Sequence, residues 1–192
     1  MTSNPFATRH IRPGAVDYIF PPGQSAAALI ERLRASGWFG QIIGPHGSGK
    51  STLLAALAPA LKQAGRTVHS YHLGTLRQFH PKDYLDKLPP SGRGLLVIDG
   101  YEQLSWWWRR RTLATCRRHD IGLLVTAHQD MGLPTLLTTE PTLALAKQVV
   151  RRLLGPDEAT IAGGDVKRAW DEAGGNLRET LFKLYDVYQA RR

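Results

Sequence analysis

Apolar residues recur along this chain in two alternating rhythms. Short apolar runs occupy Trp38 to Ile43, Thr67 to Leu73, Leu95 to Asp99 and Ile121 to Ala127, with Thr135 to Thr138 as a last brief one. Between them the spacing lengthens to the helical period. Ser25 to Ser36 gathers Ala28, Leu29 and Leu33 on one face before Gly37 stops it, and Lys50 to Ala64 stripes Leu53, Leu54, Leu57 and Leu61 before Gly65. Pro81 to Leu88 reads as a short helix and Glu102 to His119 as a long one. The Leu95 and Ile121 runs are continuously apolar, the signature of strands buried on both faces. Strands alternating with helices predict an α/β fold, a mostly parallel sheet flanked by helices.

After residue 140 the strands stop. Pro141 to Leu154, Asp165 to Ala173 and Asn176 to Arg191 carry three successive helical patterns. Residues 1–24 are rich in Pro and Gly and read as an extended strap. The organisation expected is therefore a strap over 1–24, a core over 25–140 and a small C-terminal helical lid over 141–192. No internal repeat is present.

The junction of the first strand with its helix carries the strongest chemistry. Gly44-Pro45-His46-Gly47-Ser48-Gly49-Lys50-Ser51, followed by Thr52, fits the phosphate-binding pattern Gly-x-x-x-x-Gly-Lys-Ser. Glycines let the backbone wrap a phosphate with its N–H groups inward, and the helix starting near Lys50 aims its positive end at the same point. Lys50 adds a point charge for β and γ phosphates, and the Ser51 hydroxyl suits Mg²⁺. The Leu95 run ends in Asp99, a carboxylate at the strand end where ligands of open parallel sheets sit. It looks like a Walker B aspartate and is expected to share the Mg²⁺ with Ser51. The spacing from Lys50 to Asp99 leaves room for one intervening strand.

Hydrolysis needs a group that orients water near the γ-phosphate, and Glu102, three residues past Asp99, is the candidate. A first-turn acid stabilised by the helix dipole is the plainer reading of the same residue. The segment Asp99-Gly100-Tyr101-Glu102 resembles signalling ATPases of the STAND class. Thr126, at the end of Leu123-Leu124-Val125-Thr126-Ala127-His128, matches the γ-phosphate sensor position of AAA+ ATPases. His128 resembles the switch histidine of ABC ATPases, although the chain has no Leu-Ser-Gly-Gly-Gln signature. Ala173-Gly174-Gly175-Asn176-Leu177-Arg178-Glu179 resembles the second sensor of AAA+ and STAND lids, which implies Arg178 as a nucleotide contact; Asn176 and Glu179 also explain the segment as helix capping. Residues 25–190 together resemble a compact P-loop ATPase of the AAA+/STAND group, which implies ATP and Mg²⁺ as ligands. Residues 119–150 contain no arginine, so the finger such families place after the first sensor is missing there.

Composition sharpens the list of partners. With 25 Lys and Arg against 16 Asp and Glu, the net charge is +9, which favours anionic partners. A protein partner and nucleic acid both remain open. Trp106-Trp107-Trp108-Arg109-Arg110-Arg111 is the focus of that question, because successive helical residues point about 100° apart and three Trp cannot all face a core. Two buried indoles and a third lying under a basic face are expected. Cys116 is the only cysteine, which excludes an internal disulfide framework and fits a reducing cytoplasm. No apolar run reaches the ~20 residues of a membrane span, and Met1 to Pro13 lacks a signal-peptide core. The seven histidines show no ligand spacing beyond His69-x-x-His72, whose rings point to opposite faces of a strand. No Asn-Lys-x-Asp guanine motif occurs, so ATP is expected over GTP. The AAA+ resemblance implies Tyr18 and Phe20 of the strap near the adenine, and ordinary core packing explains them equally well.

The expected function is an ATPase that switches or remodels a partner. A regulatory module that holds ATP with little turnover is the first alternative. A small-molecule phosphotransferase is the second; His69 to Leu88 offers it only Arg77 and Asp83. Oligomeric state is left open.

Overall fold

The computed structural model describes residues 4–75, 82–85, 92–155 and 160–191. Five strands form one sheet, β1 (Phe39–Ile43), β2 (Thr67–His72), β3 (Gly94–Asp99), β4 (Gly122–Ala127) and β5 (Thr135–Thr138), in the order β2-β3-β4-β1-β5. Every neighbouring pair is parallel. β3 and β4 are buried at all six positions, as their unbroken apolar runs require. The helices are α1 (Thr8–Ile11), α2 (Ala26–Ala35), α3 (Lys50–Gln63), α4 (Lys82–Leu85), α5 (Trp106–Arg118), α6 (Leu143–Leu154), α7 (Gly163–Glu172) and α8 (Leu177–Ala190). The chain groups into two compact units, Phe20–Gly44 with Ala56–Thr138, and Met1–Ile19 with Pro45–Ala55 and Thr139–Arg192.

The first unit contains the whole sheet. Ser25 caps α2 by accepting the Ala28 N–H at 3.1 Å, and α2 buries Leu29, Ile30 and Leu33. Gly40 on β1 is required by that packing, since a Cβ there would lie 2.9 Å from Leu136 Cγ and 3.0 Å from Leu33 Cδ1. A second apolar cluster joins Leu96, Ile98, Leu123 and Val125 of the sheet to Tyr101, Leu104 and Cys116.

The second unit is helical. Phe6, Val150, Leu154, Val166, Leu184 and Tyr188 lie in its core, with the Phe6 ring edge-on to Tyr188 at 6.0 Å. Thr142 caps α6 through the Leu145 N–H, and Asn176 caps α8 through the Glu179 N–H. Asp165, in the first turn of α7, accepts the Ala162 N–H at 2.9 Å and a bidentate pair from Arg191 at 2.6 and 2.9 Å.

Three local expectations change. The strap is not wholly extended: Thr8–Ile11 closes one helical turn, ended where Arg12 turns to extended geometry before Pro13. The helix expected over Glu102 to His119 is interrupted. Tyr101–Gln103 forms a 3₁₀ turn after Gly100 in the left-handed region, and Leu104 is extended so that its side chain reaches the core before α5 begins at Trp106. The third concerns the tryptophans. Trp106 and Trp107 are 64% and 51% exposed, and only Trp108 packs against the core. The buried stripe of α5 is instead Thr112 and Cys116, one turn and two turns past Trp108.

Exposure of the two indoles is energetically costly. Arg110 and Arg111 lie over their rings at 5.0 and 5.2 Å, contacts worth about 0.5–1 kcal/mol each at exposed sites. Burying an indole of 150–250 Å² would return about 4–6 kcal/mol at about 25 cal/mol per Å².

The helix expected over Pro81 to Leu88 is described only at Lys82–Leu85. Arg77 and the Asp83 side chain lie outside the described residues. No helix among the described residues is long and apolar enough to cross a membrane.

Two measurements check this packing. Burial pushes the Cys116 thiol up to about 12, so it stays protonated and fails to react with a thiol reagent at neutral pH until the chain unfolds. The Arg191 guanidinium hydrogen-bonded to Asp165 holds that carboxyl below its ordinary range. Its contribution is complete above the unfolded value of about 3.9 and lost as pH falls through the folded value. Asp165→Asn therefore lowers Tm at neutral pH, and the gap from wild type narrows in acid.

Candidate functional site

At the carboxyl edge of the sheet, strand register sets three polar residues side by side. Asp99 is paired with His72 of β2 on one side and Thr126 of β4 on the other. The Thr126 hydroxyl donates to Asp99 Oδ1 and accepts the Gly100 N–H at 3.0 Å. His72 Nδ1 lies 2.7 Å from Asp99 Oδ2, so both carboxylate oxygens are held. Burying a carboxylate this far is tolerable only with such partners.

Beyond β4 the same edge carries a second relay. His128 Nδ1 is 3.1 Å from the Gly44 carbonyl, and its Nε2 is 3.0 Å from Glu102 Oε1. The ring lies between two acceptors and satisfies both when each nitrogen carries hydrogen. Glu102 Oε2 is buried with no hydrogen-bond partner among the described residues. An unpartnered carboxylate oxygen costs at least about 1–3 kcal/mol and marks a place where a further donor belongs. Gly44 directly follows β1, its N–H donating to the Ala127 carbonyl at 3.1 Å.

The loop itself belongs to the helical unit. Pro45 and His46 are exposed, Ser48 and Lys50 are buried, and Gly49, Ser51 and Thr52 are half-buried. Gly47 and Gly49 have φ of +70° and +93°, the left-handed backbone that glycine alone adopts without strain. Lys50 Nζ donates back to the Pro45 carbonyl at 2.8 Å. The Ser48 and Thr139 hydroxyls are hydrogen-bonded at 2.6 Å, both side chains buried. Asn176, while capping α8, also presses on the loop: a Cβ at Gly47 would lie 1.9 Å from its Oδ1.

Beside the loop opens a small, mainly apolar pocket of about 70 Å³, well below the roughly 300–1,000 Å³ usual for small-molecule sites. Tyr18 and Ile19 of the strap, Leu145 and Val149 of α6 and Leu177 and Leu181 of α8 line it, with Ser48, Gly49 and Thr52 forming its polar end. Burial raises the Tyr18 hydroxyl above its ordinary value. The pocket thus sets an apolar wall beside a glycine-rich helix start, an end that favours anions.

No group of three His, Cys, Asp or Glu side chains among the described residues forms a metal cage. A divalent ion would take most of its oxygens from phosphate and water, the mode Mg²⁺ prefers.

Of the residues picked from sequence, the sheet edge unites Asp99, Glu102, Thr126, His128 and Gly44, and the helical unit unites the rest of the loop with Tyr18 and Asn176. Arg178 is not directed to the loop by any hydrogen bond; it stands exposed with its guanidinium 5.6 Å from the Phe182 ring centre. His72, Thr139 and the Asn176 contact were not foreseen. Of these only His72, a polar residue ending the second strand, carried a signal.

No protein-family model matches the chain, and no curated protein matches it. Solved structures do. A DNA replication initiation factor superposes with TM-score 0.61 at 17% identity, covering 90% of this chain and 63% of its own. AMPPCP-bound DnaA from Aquifex aeolicus gives 0.61 at 16% identity, covering 93% and 67%. Domain III of the Thermotoga maritima replication initiation protein DnaA gives 0.51 at 15%, covering 90% and 95%. The chain thus spans about two-thirds of the first two. At these identities the likeness establishes the fold alone, a parallel α/β sheet of the P-loop type flanked by helices, with a C-terminal helical region.

The contact at Gly47 makes a direct check. Gly47→Ala lowers Tm through the blocked Cβ and the positive φ, and Asn176→Ala lowers it by loss of the cap, about 0.5–2 kcal/mol. The double variant falls short of the sum of the two losses, as thermal melts of all four proteins will register.

Proposed function

We propose that this chain binds MgATP and hydrolyses it to switch or remodel a partner protein. The observation that carries the reading is Glu102, its carboxylate fixed through one oxygen by His128 while the other is buried and unpartnered. A carboxylate held in this way is poised to take a water molecule and orient it. In support, one structure sharing the fold was determined with AMPPCP bound.

The adenine enters beside Tyr18, Leu145 and Leu177, whose small apolar pocket must widen to admit it. Lys50 leaves the Pro45 carbonyl for the β and γ phosphates, which the amides of Gly47 to Ser51 cradle. Ser51 and Asp99 would hold Mg²⁺, and His72 and Thr126 keep the Asp99 carboxylate in place. When bound, the ion would supply neutralising charge for the phosphates. Glu102 accepts a proton from water as its oxygen attacks the γ-phosphorus; the bond to the bridging oxygen breaks, and ADP and phosphate leave. Thr126 and Arg178 report the state of the γ-phosphate to the partner-binding surface.

A second reading, an ATP-holding regulatory module with little turnover, has its own support. Residues 119–150 lack arginine and Arg178 is stacked on Phe182, so the cation needed for the transition state would come from a partner.

Steady-state ATP hydrolysis and equilibrium MgATP binding separate the two. Glu102→Gln retains binding and loses turnover by roughly 10²–10⁴-fold, whereas Lys50→Ala loses binding. Wild-type protein that binds MgATP firmly yet fails to turn it over establishes the second reading, and absent binding refutes both.

A further inference from the structure

Helix α5 is 13 residues long and contains five arginines with no acidic residue. Its solvent side repeats at the helical period: Trp106 and Trp107, then Arg110 and Arg111, then Arg117 and Arg118, all exposed. None of these four arginines is ion-paired with a carboxylate among the described residues. A merely solvated basic face explains the arginines but leaves the two indoles unaccounted for, since they stay exposed even with guanidinium groups above them.

The track does not stop with the helix. Asp120, two residues past its end, lines an open groove of about 550 Å³ with Arg34, Arg66, Arg93 and Trp38. The Arg66 guanidinium is stacked 3.8 Å from the Trp38 ring centre. Burial, then the neighbouring Arg93 and Arg34, hold that guanidinium below its ordinary value against the opposing pull of Asp120. These groove residues precede β1, β2, β3 and β4, so they mark the amino edge of the sheet, opposite Asp99 and Thr126.

We propose that the exposed face of α5, continued by the groove at its end, binds single-stranded nucleic acid, with Trp106 and Trp107 stacking bases and the arginines neutralising phosphates. Charge complementarity calls for a polyanion, and the indoles select among polyanions. Bases are free to stack on an aromatic side chain only when unpaired, whereas a duplex keeps its base faces in its own stack. A helix of this length extends about 20 Å at 1.5 Å per residue, room for a short run of nucleotides. Binding here uses no residue assigned to ATP, so it stands or falls separately from the reading above.

The test is fluorescence anisotropy with the full chain, without nucleotide, using a labelled oligothymidylate of about 20 nucleotides, longer than the ~4–16 typical of one binding fold. Three variants accompany wild type: Trp106→Ala with Trp107→Ala, Trp106→Phe with Trp107→Phe, and Arg110→Ala with Arg111→Ala. Each is checked for wild-type Tm and circular dichroism. The expected result is binding that weakens by roughly tenfold or more in the Ala pair and survives in the Phe pair. The Arg pair reduces the slope of log affinity against log salt by roughly 0.7 per arginine removed. Failure to bind, or affinity unchanged in the Ala pair, overturns the proposal. So does equal, indole-independent competition by duplex DNA or polyglutamate, which would mark a general polyanion surface. A blue shift of tryptophan emission on anionic phospholipid vesicles without oligonucleotide binding would overturn it in favour of a membrane surface.

Discussion

The register between β3 and β4 is the constraint on which the sheet edge depends. Because every pair of strands is parallel, all of them release their last residues at one edge, and hydrogen-bond pairing decides which end residues become neighbours. β4 lies between β3 and β1, so one strand serves both: Thr126 is opposite Asp99, and Ala127 receives the Gly44 N–H. A slip of one residue would turn Thr126 to the other face and strand a buried carboxylate without its donor. The unbroken apolar runs of β3 and β4 make that slip costly, because packing on both faces resists any shift of register.

The helical unit fixes the glycine-rich loop by a different means. Tyr18 lies close to Gly49, with Cε2 3.7 Å from where a Cβ would stand, and Asn176 occupies the space a side chain at Gly47 would take. The Asn176 oxygen also accepts the Glu179 N–H in the first turn of α8. Loop shape and helix start therefore share one atom, and the hydroxyl pair of Ser48 and Thr139 ties the middle of the loop to the chain entering α6.

Much of this was legible in the sequence because it rests on local period. The strands and helices followed from alternating rhythms, the loop from glycines around a lysine, and Asp99 from a carboxylate that ends an apolar run. What escaped was set by neighbours distant in sequence. His72 meets Asp99 only because β2 pairs with β3, and Thr139 meets Ser48 only after the chain has completed the sheet. The tryptophans misled for another reason. Hydrophobicity alone would bury them, but α5 packs through Thr112 and Cys116, small residues that leave its first turn without a core to enter. The break before Trp106 came from Leu104, whose burial outweighed the helical tendency of the residues around it.

Thr126 has one hydrogen to give. In this structure Asp99 has it, and the oxygen lone pairs are in turn engaged by the Gly100 amide. Any second acceptor that arrives at the strand end must win that hydrogen from Asp99, and the carboxylate must then find its donor elsewhere. The hydroxyl is thus an exclusive choice written in a single proton: it can mark one of two oxygens but never both, so a change at one is necessarily registered at the other.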